Sequence, residues 1–129
     1  MQGGSGRDQG GIRAKRRRTK KLIVAFHFQH ANQAGWKCGE CRKNGLERAR
    51  RCGWLPGAQA TAPRVVWARR QVSTQVCPKS FISGESAAWV EAFHAWKGLG
   101  GGDMERLTAR QAHAFLILEQ ELASIHAEQ

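Results

Sequence analysis

The chain has 129 residues, 41% of them hydrophobic, with a formal charge of +11 at pH 7. Its longest early apolar stretch, Leu22 to Phe26, is far below the roughly 18 residues a membrane-spanning helix needs, and no small-residue cleavage site follows it. These features exclude a membrane span and a secretory leader and point to a small soluble protein of the cytoplasm with a limited core, for which a metal staple would be physically useful.

The charge is unevenly placed: residues 1–70 hold 17 Lys/Arg against 3 Asp/Glu, and residues 71–129 hold 4 against 7. The two halves are therefore expected to serve different partners. The glycine-rich opening MQGGSGRDQGG and the block RAKRRRTKK lack apolar periodicity, so residues 1–21 read as a disordered basic arm. Arg13, Lys15, Arg16, Arg17, Arg18, Lys20 and Lys21 would clamp a phosphate backbone and release its counterions, or else form a solvated tail.

Next, Leu22 to Phe28 (LIVAFHF) clusters β-formers and predicts a strand leading into a cysteine-rich stretch. Gly35, Gly39, Asn44-Gly45 and Gly53 supply turns around Cys38, Cys41 and Cys52, where a chain without a Cβ can turn tightly and aim amides at sulfur. PGAQATAP, from Pro56 to Pro63, is a loop. Beyond it Arg64 to Ala68 and Val72 to Cys77 read as two strands joined near Arg69-Arg70, returning Cys77 toward the CxxC pair.

The last third is helical by pattern. Ser83 or Ser86 caps a helix to about Lys97, with Ala88, Trp89, Ala92, Phe93 and Trp96 as its apolar stripe. GLGGGD reverses the chain, and Thr108 with Gln111 makes a capping box for a second helix through about His126. There Ala112, Phe115, Leu118, Leu122 and Ile125 form a seam widened by Leu116 and Ile117, and the two helices are expected to pack antiparallel.

Chemistry concentrates in the cysteines. A CxxC pair aims two sulfurs at one point, and Cys52 and Cys77 can complete a tetrahedral shell, so Cys38, Cys41, Cys52 and Cys77 predict structural zinc. His27 or His30 could replace Cys77 in that shell. A redox role for Cys38/Cys41 would need a strand–helix setting in a βαβ unit, which the Gly-Glu spacer and following turn do not offer, and a disulfide framework would need a signal peptide. The layout resembles a zinc ribbon or zinc knuckle, carried by those four cysteines alone.

Trp36 and Trp54 bracket the cysteines, either shielding the ion or stacking on bases beside Arg48, Arg50 and Arg51. Serine, histidine and acidic residues form no nucleophile, hydrolase or phosphate-loop motif, and a closed four-ligand zinc site leaves no position for substrate. The chain is not expected to be an enzyme or to take a small-molecule substrate.

The stretch ISGESAAWVEAFHAWKGLGGGDMERLTARQAHAFLILEQELASI is similar to small helical proteins encoded among the tail genes of tailed bacteriophages, several of which are tail assembly chaperones. That resemblance implies a phage structural protein as partner, bound through Phe93, Trp96, Phe115 and Leu122. The expected architecture is α+β: an arm over 1–21, a cysteine-rich zinc-binding β region over 22–82 and a helical hairpin over 83–129. Two functions fit, a zinc-stabilised protein-binding or assembly factor and a DNA- or RNA-binding module using the basic arm and the Arg48/Arg50/Arg51 cluster.

Overall fold

A computed structural model describes residues 3–55 and 62–127; most of the Pro56–Pro63 loop lies outside the described residues. Five helices, α1 (Gly3–Gln29), α2 (Cys38–Lys43), α3 (Pro78–Phe81), α4 (Gly84–Gly98) and α5 (Ala109–Ala127), accompany one two-stranded antiparallel sheet of β1 (Trp67–Arg69) and β2 (Val72–Thr74). The chain is thus mixed α and β, with helix dominating.

The expected disordered arm and the expected strand are instead one helix, α1, which crosses the boundary at residue 21. Its basic stretch is built from good helix formers, and its apolar stretch owes its uniform character to being surrounded. Leu22, Ala25 and Phe26 face one cluster with Val90, Phe93, Phe115 and Leu118. Val24 and Phe28, one helical turn apart, face a second cluster with Trp67. A continuous apolar run suits a buried helix as well as a strand, and here tertiary burial overrides the β preference of Ile23 and Val24.

α1, α4 and α5 run in the same sense. Glu85 near the start of α4 pairs with Arg110 near the start of α5 at 3.0 Å, and Lys97 at the end of α4 pairs with Glu119 further along α5 at 2.8 Å. Likewise Phe26 meets Phe93, His30 meets His94, and His27 reaches Glu121. The antiparallel hairpin expected from the short glycine linker is therefore corrected. Residues 99–108 are long enough to return the chain: ten extended residues span up to roughly 33 Å, whereas α4, at about 1.5 Å per residue, is roughly 22 Å long. Gly100 and Gly101 begin that return in the left-handed region, with φ of 96° and 60°.

Both helix starts follow their sequence signals. Ser83 Oγ accepts from the Ser86 amide at 3.0 Å. Thr108 Oγ1 accepts from the Gln111 amide at 3.1 Å while Gln111 Oε1 accepts from the Thr108 amide at 2.9 Å, a complete capping box. The buried line of α4 is Ser86, Val90 and Phe93, with Trp89 and Trp96 half-buried and Ala88 and Ala92 exposed. On α5, Ala114, Phe115, Leu118 and Ile125 are buried, Ile117 is half-buried and Leu116 faces solvent.

The hairpin is shorter than expected and turns at Arg70-Gln71, one residue later than the sequence suggested. Its register pairs Trp67 with Thr74, Ala68 with Ser73 and Arg69 with Val72. This places the Trp67 ring 5.6 Å from Phe28, edge to face.

Candidate functional site

Two regions carry chemistry: the basic half of α1 with the grooves beside it, and the cysteine lobe. The first is built from α1 outward. Arg13, Lys15, Arg16, Arg17, Arg18 and Lys20 are exposed and Lys21 is half-buried, all on a helix whose following turns are locked in the core. Lys20 and Lys21 place their ammonium groups 5.8 and 5.5 Å from the Phe81 ring, tying this stretch to α3. On one side a groove of about 680 Å³ runs between α1 and the starts of α4 and α5, lined among others by Lys15, Arg18, Arg110 and Trp89. On the other side a groove of about 480 Å³ lies between Arg16, Lys20 and β2. Because α4 and α5 start beside the basic stretch, the positive ends of their dipoles add to its field.

The expected partner residues have different surroundings. Phe93 and Phe115 are 0% and 2% exposed and meet edge to face with ring centroids 5.6 Å apart inside the core, and Trp96 and Leu122 are half-buried against the same cluster. Phe26 of α1 meets Phe93, and Trp89, Phe93 and Trp96 of α4 surround Phe115.

The cysteine lobe begins after α1. A 3₁₀ turn over Ala34–Trp36 leads into α2, which starts at Cys38 and carries Cys41 one turn on. Cys41 accepts from the Leu46 amide at 2.9 Å through its carbonyl, and the Cys52 amide donates to the Glu47 carbonyl at 2.9 Å, so successive turns bring Cys52 back. Arg51 adopts φ 50° just before it. Its carbonyl accepts from the Cys77 amide at 3.3 Å, and the Gly53 amide donates to Ser80 Oγ at 2.7 Å, joining the Cys52 turn to the Cys77–Pro78 entry of α3.

All four cysteines line one cavity of about 30 Å³, together with Trp36, Arg42, Glu47, Arg50 and Trp54. All four are free thiols. Burial pushes the Cys41 thiol up; Arg50 opposes this, while Cys77, Glu47 and Cys52 add to it. Among the described residues, no three His, Cys, Asp or Glu side chains already form a shell ready to hold a metal ion. Arg50 lies 4.4 Å over the Trp36 ring and donates to the Gly35 carbonyl, so Trp36 forms a wall, whereas Trp54 is 64% exposed. Arg48 is exposed, and Arg50 and Arg51 are half-buried.

Neither His27 nor His30 lines that cavity. His27 is 2% exposed, and Arg69 donates to its Nδ1 at 3.0 Å. A guanidinium has no acceptor, so Nδ1 carries no hydrogen, and Nε2–H donates to Glu121 at 2.8 Å. These two bonds link β1, α1 and α5 through His27. Sequence reasoning missed that chain because Arg69 and Glu121 lie 42 and 94 residues away from His27. It also missed Arg110 as a groove cation, and Ser80, whose place three residues after Cys77 was the one local signal available.

His30 is held below the usual 6.5, first by partial burial and then by His94, Arg69 and His27. Among the described residues, no helix is long and apolar enough to cross a membrane. No protein-family model matches the sequence, and comparison with curated proteins and with solved structures gives no match.

Proposed function

We propose that this protein binds nucleic acid through the phosphate backbone, using the exposed cations of α1 from Arg13 to Lys20 with Arg110 across the adjoining groove. The observation that carries this reading is the anchoring of α1. Its cations are held on one fixed helix and face both adjoining grooves, because Leu22, Phe26 and Phe28 of the same helix are buried. A fixed helix carrying guanidinium and ammonium groups into the grooves on either side suits phosphates, and it loses less backbone freedom on binding than a free tail. The contacts offered are charges for phosphates, so the binding is expected to be tolerant of sequence.

A role as a phage assembly factor, implied by the likeness of the helical segment, would need a surface other than Phe93 and Phe115, which are enclosed. The nucleic-acid reading uses side chains that are exposed.

Titrating the full chain with generic duplex and single-stranded DNA and RNA over a range of salt tests it. Affinity should fall steeply with salt, with a log–log slope of about −0.9 per duplex phosphate neutralised. Replacing Arg16, Arg17, Arg18 and Lys20 together by glutamate should weaken binding by more than about tenfold and flatten that slope. Absence of binding at about 50 mM salt overturns the proposal.

A further inference from the structure

The cysteine cavity has no place in polyanion binding by α1, yet it gathers every sulfur of the four cysteines in the chain. We infer that Cys38, Cys41, Cys52 and Cys77 hold one zinc ion as a closed tetrathiolate site that fastens residues 31–55 to the start of α3.

Three observations carry this. The first is convergence: three separate stretches, α2, the turn at Cys52 and the entry to α3, aim their cysteines at a space of about 30 Å³. Such a space accommodates about one water or one small ion and no organic ligand. The four residues line one space, and among the described residues their side chains do not yet form a ligand shell, so binding would have to draw the sulfurs together.

The second is charge. Four thiolates around a divalent ion leave a net charge of −2, and the cavity lining holds two guanidinium groups, Arg42 and Arg50, against one carboxylate, Glu47. Arg50 is held there by the Trp36 ring and the Gly35 carbonyl. Cations placed beside the sulfurs are the surroundings a tetrathiolate needs and free thiols do not.

The third is what the lobe lacks. Between Ala31 and Leu55 no side chain is buried, so this stretch has no hydrophobic core of its own. Its order rests on turns, on Ala31 and Trp36 packed against the cluster of Val24, Phe28 and Trp67, and on its junction with Cys77 and Ser80, and a metal bond would add to this sparse set of fastenings. Soft thiolates in a four-coordinate arrangement select zinc over magnesium or calcium, whose sites are built of oxygen.

Elemental analysis of the full chain, purified without chelator, should find about one zinc per chain. Exchange with cobalt should give the intense visible absorption of a tetrahedral sulfur site, and Cys77→Ser should lose both. His30→Gln should keep both, since His30 lies outside the cavity. A folded chain that contains no zinc and takes up no cobalt overturns the inference, as does a Cys77→Ser protein that keeps its metal while His30→Gln loses it. Metal content is read without nucleic acid, so this result stands apart from the binding proposal.

Discussion

The helical bundle and the cysteine lobe solve the problem of stability in opposite ways. In the bundle, Phe26, Phe93 and Leu118 are completely buried and aromatic rings meet edge to face. In the lobe, no residue from 31 to 55 is fully buried, and the chain is shaped by glycine, left-handed turns, single hydrogen bonds and partial packing of Ala31 and Trp36. A basic helix joins them and belongs energetically to the bundle, so the surface proposed to meet nucleic acid does not depend on the lobe for its rigidity. The contrast teaches that apolar area and point fastenings can coexist in one short chain, each failing to a different perturbation.

The largest expected effect lies in the bundle. Phe93→Ala removes a ring at the meeting point of α1, α4 and α5, and should lower unfolding free energy by about 3–5 kcal/mol in urea titrations. A loss under about 1 kcal/mol would mean that the three helices do not share this core.

An intermediate effect separates the two regions. A Cβ on Gly53 would lie 2.8 Å from Ser80 Oγ and 3.0 Å from Ser80 Cβ, at the junction that brings Cys52 to Cys77. Gly53→Ala should therefore destabilise the lobe by about 1–3 kcal/mol, while far-ultraviolet ellipticity, dominated by the bundle, changes little. Equal loss of ellipticity and of lobe structure would show the two regions to unfold as one unit.

How much of this was legible beforehand follows the same division. Local signals were readable: Ser83, Thr108 and Gln111 cap the helices they were expected to cap, and the Val72 strand pairs as anticipated. The cysteine spacing pointed to the four residues that share one cavity. What could not be read was long-range. LIVAFHF looks the same whether covered by strands or by helices, so the identity of α1 depended on partners about 70 and 90 residues away. The sense of α5 depended on how residues 99–108 travel, which composition does not encode. Val90 escaped the expected stripe because Ala88 and Ala92 fit the same spacing; larger side chains won the interior.

The smallest expected effect concerns acid. His30 in the folded chain resists protonation, whereas the unfolded chain takes up its proton near pH 6.5. Below that pH the unfolded state binds more protons, so stability should decline as pH falls from about 6.5 and level off once the folded form is protonated too. His94 from α4, Arg69 from β1 and His27 on α1 all face it. His30→Gln should remove part of that slope in thermal melts between pH 7 and 5; an unchanged slope assigns it to other groups.

The shared direction of α1, α4 and α5 has a consequence for synthesis. Leu22 and Phe26 leave the ribosome early, yet their neighbours Phe115 and Leu118 are made nearly a hundred residues later. The hairpin of β1 and β2 can shelter Val24 and Phe28, but the side bearing Leu22 and Phe26 waits uncovered, and its closure is a late event set by distant contacts. Nascent chains halted before residue 118 would display that side to chaperones or to one another, making the interval before α5 emerges the vulnerable moment in this molecule's life.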